Sequence, residues 1–373
     1  MRDTILTLLL AAASVRAGGP ALFQVDVYRA GQGGYHTYRI PALMVTPGNT
    51  LLAFCEGRRH SRSDTGDIDL LLRRSRDNGA TWLETQLVAD QGQDTIGNPC
   101  PVVDRTTGVI WLLLTGNPGR LKESQILAGE GEGTRTVWIT RSQDDGATWA
   151  PIREITSAVK HPDWTWYATG PGNGIQLRGD RLLVPCNHAV RGTRETHSHV
   201  IYSDDHGATW RLGGSAGEKT DESTVIELKD GTLLLNMRNY RGKHRRAVAR
   251  SRDGGLTWSE TQLDEALIEP VCQGSLIRYG RGDRLLFSNP AAETRINMTV
   301  RLSRDGGRSW PGALGIHAGP SAYSSLAVLK GGAVGLLYER GEVSPYETIT
   351  FARFPIRRIK TLSPGTSQRS VSP

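Results

Sequence analysis

Ser75-Arg76-Asp77-Asn78-Gly79-Ala80-Thr81-Trp82 reads as a tight turn closed by an aromatic, and its frame, Ser-x-Asp-x-Gly-x-Thr/Ser-Trp, returns four more times. The later copies are Ser142 to Trp149, Ser203 to Trp210, Ser251 to Trp258 and Ser303 to Trp310, with successive starts 67, 61, 48 and 52 residues apart. In each copy the Asp carboxylate can accept backbone N–H bonds, the Gly supplies φ > 0 and the Trp covers a hairpin. The frame lacks the alternating oxygen ligands and terminal Glu of a calcium loop. Intervals of this size hold a four-stranded antiparallel blade plus loops and are too uneven for a thin solenoid. They predict an all-β, six-bladed β-propeller built on these hairpins.

Strand-like runs flank the repeats: Tyr38 to Val45, Leu51 to Cys55 and Ile68 to Arg74 precede the first, and Leu83 to Ala89 follows it. Five repeats account for five blades. The sixth is expected from Ala322 to Leu329, Ala333 to Tyr338 and Ile349 to Phe354, joined by an N-terminal strand around Leu22 to Val27 that closes the ring and removes free sheet edges.

The 373 residues, 38% hydrophobic and 22% charged, suit a soluble protein with a substantial core, and the 44 glycines and 18 prolines are too dispersed for a low-complexity tract. A net charge of +7 suits an anionic substrate, but the arginines run along the whole chain and leave no nucleic-acid footprint. Residues 1–17, an apolar run ending Val15-Arg16-Ala17, read as a secretory signal, which implies a secreted or periplasmic protein. That run is too short to span a bilayer and nothing later does better. Residues 18–360 then form the propeller and 361–373, rich in Ser, Pro and Thr, a flexible tail. The cysteines, Cys55, Cys100, Cys186 and Cys272, form no C-x-x-C pair and are expected as buried free thiols, with no zinc site.

The five repeats resemble the Asp boxes of the sialidase family, and from about Tyr38 to Glu339 the resemblance becomes specific. Tyr38-Arg39-Ile40-Pro41 is similar to the family's signature around the first arginine of a carboxylate-binding triad; Arg238 in Asn236-Met237-Arg238-Asn239 matches the second and Arg295 in Glu293-Thr294-Arg295-Ile296-Asn297 the third. Planar guanidinium forks bind a carboxylate bidentately, which suits the ionised C1 carboxylate of sialic acid. Glu339 matches the acid that supports the first arginine. Tyr323 in Ser321-Ala322-Tyr323-Ser324-Ser325 resembles the nucleophilic tyrosine, and Glu222 in Asp221-Glu222-Ser223 the base that takes its proton. A neutral phenol can approach an anomeric carbon that already bears a carboxylate, provided a base offsets a pKa near 10.

Glu56-Gly57-Arg58 through Asp64-Thr65-Gly66-Asp67-Ile68-Asp69 resembles the family's acid/base loop, with Asp64 as the acid, Asp67 as its rival and Arg58 as a further arginine near the substrate carboxylate. Exclusion of water is expected to raise the Asp64 pKa. Glu123 occupies a position like a substrate-contacting glutamate of compact vertebrate-like members, whose landmarks also include Asn98-Pro99-Cys100-Pro101, Gly170-Pro171-Gly172-Asn173-Gly174 and Glu269 to Ser275. Two departures stand out: Ser325 where many relatives carry Asp, and Asn187-His188 in place of an aromatic segment that helps hold the substrate's polyol arm. Asn297-Met298-Thr299 matches a glycosylation acceptor, yet it lies in an expected strand beside Arg295 and is read as unmodified.

The resemblance implies retaining exo-hydrolysis of terminal α-linked sialic acids from glycoproteins, glycolipids and oligosaccharides by a monomer, without metal or organic cofactor. Transfer to another sugar, or an intramolecular transfer giving an anhydro product, is the alternative within enzymes. A non-catalytic propeller that binds glycans is the alternative outside them. A pure binder has no chemical reason to keep Asp64, Glu222 and Tyr323 together.

Overall fold

In a computed structural model of the chain, residues 22–130, 133–193 and 195–361 are described. The signal-like residues 1–17 and the tail beyond Thr361 lie outside them; Thr361 itself still pairs with Gly312. The strands group into six antiparallel blades. Blade one comprises Thr37–Val45, Leu51–Arg58, Ile68–Ser75 and Gln86–Ala89; blade two Thr95–Val103, Ile110–Asn117, Thr136–Ser142 and Arg153–Glu154. Blade three comprises Trp164–Thr169, Leu182–Val190, Thr196–Ser203 and Arg211–Glu218, with Ile175–Gln176 alongside; blade four Thr220–Glu227, Leu233–Asn239, Arg245–Ser251 and Gln262–Ile268. Blades five (Ser275–Arg278, Leu285–Pro290, Ile296–Ser303) and six (Ala333–Arg340, Thr348–Pro355, Phe23–Arg29) share the long strand Gly312–Val328. Its first half pairs with Ile296–Ser303 and its second half, from Ser321, with Ala333–Arg340. The N-terminal strand closes the ring as expected, with Phe23 opposite Arg353 and Arg29 opposite Thr348.

Each blade is covered on both faces by its neighbours, so middle strands read as unbroken apolar runs: Ile110 to Leu114 are all buried. The first strand of each blade lines the axis. Their far ends, among them Val45, Val103, Glu227, Arg278 and Val328, surround a cavity of about 670 Å³. Their beginnings, with Arg39, Asn98, Trp166, Glu222 and Tyr323, surround a second opening. Antiparallel order then puts the second-to-third-strand loops at the same end as those beginnings, and the repeats, between third and fourth strands, at the opposite end.

The repeat is a self-contained hydrogen-bond unit. In the second copy Ser142 Oγ donates to Asp144 Oδ1 (2.8 Å) and accepts from the Gly146 N–H (2.9 Å), while the Thr148 N–H and Oγ1 donate to the two Asp144 oxygens at 2.9 and 2.6 Å. The glycine does more than permit the turn, because it presses against the preceding blade. A Cβ at Gly79 would stand 2.1 Å from Phe351 Cε1 of blade six, and one at Gly207 2.2 Å from Trp111 Cε2 of blade two. The repeats thus join neighbouring blades as well as turning the chain. Asp144→Ala is expected to lower stability by about 1–2 kcal/mol through this lost network, seen as a lower Tm, and to leave activity per folded molecule unchanged. A loss of specific activity beyond the loss of folded protein would refute a purely architectural role.

Candidate active site

A cleft of about 710 Å³ opens at the end where the first strands begin. At its floor the Tyr323 hydroxyl donates to Glu222 Oε1, and Arg238 Nη1 donates to Glu222 Oε2 (2.9 Å) and to the Tyr323 oxygen (3.1 Å). Tyr323 enters from blade six, Glu222 and Arg238 from the first two strands of blade four. Burial pushes the Glu222 carboxyl up; Arg238 opposes the rise and Asp221 adds to it. Burial, and then the Glu222 charge, push the Tyr323 phenol well above its ordinary value. The phenol therefore rests protonated, beside a base that can take the proton only as a bond forms.

Arg39 is fixed by the fully buried Glu339. Glu339 Oε1 accepts Arg39 Nε (2.7 Å) and the Ile40 N–H (2.9 Å), and Oε2 accepts the Tyr323 N–H (3.0 Å), so one carboxylate sets both the arginine and the tyrosine backbone. Arg295 donates through Nη1 to the Tyr346 hydroxyl (2.7 Å), and the Arg39 guanidinium lies 4.1 Å from the Tyr346 ring centre. Arg39 pairs with Glu339 and, at 3.8 Å, with Asp64, and Arg238 with Glu222 and, at 3.7 Å, with Asp221, but Arg295 has no carboxylate within ion-pair distance among the described residues. Of the trio, Arg295 therefore offers a guanidinium whose charge no described carboxylate meets, which suits a substrate carboxylate.

Asp64 lines the cleft with its side chain half exposed, 2.7 Å from Arg58 Nη2 and 3.8 Å from Arg39 Nη1. Burial alone would push its carboxyl up, but Arg58 and Arg39 outweigh burial and hold it below the usual range. This corrects the expectation of a raised pKa: neighbouring cations dominate. Asp67 pairs instead with Arg59 (3.4 Å) and is absent from the cleft wall. Arg58 is buried and clamped, donating to Glu56 Oε2 through Nε (3.0 Å) and Nη2 (2.7 Å). Glu123 begins the short helix Glu123–Ala128 and also lines the cleft; burial first, then Asp64, push its carboxyl up.

Sequence reasoning missed several residues of this wall. Glu56, two positions before Arg58 on one strand and so on the same face, was detectable by strand alternation. Its Oε1 accepts the Asn98 N–H (2.9 Å). Arg135, Trp166, Tyr240 and Tyr346 carried no signal. Arg135 lies 3.6 Å from the Trp166 ring centre and donates to Asn98 Oδ1 (2.9 Å); burial pulls it down to about 10.

Residues 49–336 match the family model described as BNR repeat-like domain. A sialidase of Micromonospora viridifaciens is 36% identical over 369 residues, covering 92% of this chain and 56% of that protein, and Sialidase-2 of Rattus norvegicus is 32% identical, covering 90% and 95%. The chain belongs to the sialidase family. Among solved structures, the Hadza microbial sialidase Hz136 superimposes with a TM-score of 0.83 at 34% identity, covering 90% of this chain and 69% of that one. The chain spans just over half the length of the Micromonospora protein.

Within this sialidase framework the two departures have distinct surroundings. Ser325 Oγ accepts the Leu43 N–H (2.9 Å) and ties blade six to blade one. Asn187 lines the cleft, buried, with neither amide atom hydrogen-bonded among the described residues. His188 turns away from the cleft and stacks on Trp164 (ring centres 3.5 Å apart), its Nδ1 3.0 Å from His199 Nδ1. Burial first, and then neighbouring imidazoles, hold His188 down to about 3 and His199 well below its ordinary value. The unfolded chain binds these protons near pH ~6.5. Stability is therefore complete above that pH and lost as pH falls toward the folded value. His188→Phe, which preserves the stack, is expected to flatten the fall of Tm between about pH 6.5 and 4; an unchanged slope would mean that other groups govern acid unfolding. The four cysteines are free and buried, and no described helix is long and apolar enough to cross a membrane.

Proposed function

We propose that the chain is a retaining exo-α-sialidase that releases terminal α-linked sialic acids from glycoproteins, glycolipids and oligosaccharides. One observation carries the reading: a buried tyrosine hydroxyl donates to a buried glutamate in a cleft that also holds three arginines, one of which, Arg295, has no carboxylate partner among the described residues. Arg39, Arg238 and Arg295 hold the substrate carboxylate. The Tyr323 oxygen bonds to the anomeric carbon as its proton passes to Glu222, and Asp64 protonates the departing glycan oxygen. Asp64 then takes a proton from the water that attacks the same carbon, while Tyr323 leaves and recovers its proton from Glu222.

A substrate carboxylate among the arginines offsets the field that holds Asp64 low, and so raises its pKa toward the range of a proton donor. Asn187 offers a donor and an acceptor to the polyol arm, and Glu123 a carboxylate to a ring hydroxyl. Export through residues 1–17, a propeller domain over 18–360, a tail beyond it and action as a monomer complete the proposal.

The test is incubation with a fluorogenic sialoside, followed by NMR. Release of the α-anomer first is expected; an anhydro or transferred product would overturn hydrolysis, and no release would overturn the enzyme. Arg238→Lys is expected to raise KM about tenfold or more, because a point-charge ammonium cannot reproduce the bidentate fork. A loss confined to Tm would make this arginine structural.

A further inference from the structure

Behind the cleft wall, where blade two meets blade three, lies a groove of about 600 Å³, a size typical of small-ligand sites. Lys160 forms part of its lining. Its Nζ donates to Thr134 Oγ1 (2.6 Å) and to the Arg135 carbonyl (2.7 Å), two neutral oxygens, which leaves one of three N–H donors. No carboxylate lies within ion-pair distance of Lys160 or of Arg191, the second cation on the lining, among the described residues. Burial, then Arg135 and Arg191, pull the Lys160 ammonium down to about 8. A half-buried cation beside two others is costly unless an anion joins it.

The acid on the lining, Glu154, is exposed and accepts Thr156 Oγ1 (2.6 Å). Trp164 has one face covered by His188 and lines the groove with the rest of its ring. Ser157 adds a hydroxyl, whereas that of Thr134 is spent on the Thr165 carbonyl and on Lys160. Two cations without a carboxylate partner among the described residues, an aromatic surface and a hydroxyl within one groove form a recognition set for an acidic sugar. Tying down Thr134 and the Arg135 carbonyl explains two of the Lys160 donors but does not explain Arg191.

We infer that this groove is a second, non-catalytic site for a carboxylate-bearing sugar, with its carboxylate between Lys160 and Arg191 and its ring against Trp164. The preference for an anion is independent of the proposed function; the use of a sialylated probe rests on it. Calorimetric titration of the Tyr323→Phe protein with 3′-sialyllactose is expected to show two binding events. On that background Arg191→Glu, at an exposed position, is expected to weaken one event about tenfold or more and Lys160→Met to weaken the same one, whereas Arg238→Ala removes the other. In an otherwise unaltered chain, Arg191→Glu keeps its turnover and Tm.

If no event is weakened by Arg191→Glu, whether one event or two are seen, the inference is overturned. Parallel titrations with lactose and with sodium sulfate assign the ligand: equal affinity for lactose means a neutral-sugar groove, and equal affinity for sulfate an inorganic-anion site, and either overturns the acidic-sugar assignment. If the Arg191-dependent event persists while no Arg238-dependent event exists, the proposed catalytic reading fails and the second site stands.

Discussion

Tyr323→Phe is expected to cut turnover roughly 10³-fold or more while affinity for a sialic acid analogue stays within about threefold. The substitution removes the nucleophilic oxygen and little else. The ring keeps its place 5.1 Å from the Arg39 guanidinium and 5.7 Å from that of Arg295, and the backbone N–H still donates to Glu339. Glu222 keeps its bond from Arg238, so no carboxylate is left buried and unpaired. Steady-state rates on an aryl sialoside, together with a direct titration of the analogue, separate the two effects. Unchanged turnover would end the assignment of Tyr323 as nucleophile; equal losses of rate and affinity would make it a binding residue.

Asp64→Ala is expected to lower hydrolysis of sialyl-lactose about 10²- to 10⁴-fold, and to cost much less on an aryl sialoside whose leaving group needs little protonation. The fold should survive, because the side chain is half exposed and its partner Arg58 remains clamped by Glu56. Equal losses on the two substrates would show that Asp64 is not the acid. Sequence alone makes Asp67 the next candidate, but its carboxylate faces Arg59 outside the cleft. The geometry points instead to Glu123, which lines the cleft and whose pKa burial has already pushed up.

By itself the sequence determined the architecture, because the chemistry that encodes it is local. Ser, Asp, Gly and Thr (Ser309 in the last copy) satisfy one another within each eight-residue repeat, so five copies declared five hairpins. Their spacing left room for four strands each, and the apolar runs at the two ends of the chain left a sixth blade to be closed between them. The arginines, the tyrosine and the acids were legible because each sits in a short, distinctive setting such as Tyr38-Arg39-Ile40-Pro41 or Ala322-Tyr323-Ser324.

Tertiary structure alone decided which charges meet and what that does to them. Glu339 lies 300 residues from Arg39 and Glu222 101 residues from Tyr323, and both pairs exist only once the ring has closed. The low pKa of Asp64 follows from how the folded loop sets it against Arg58 of its own segment and against Arg39 of the adjacent strand. Arg135 and Tyr346 enter the wall from loops with no recognisable motif, and Glu56 from a strand that reads only as core. The outward turn of His188 and the placing of Lys160 without a carboxylate partner among the described residues arise at the junction of two blades. Local hydrogen bonding can be read from eight residues; burial and electrostatic fields sum over the whole ring, and no segment carries them alone.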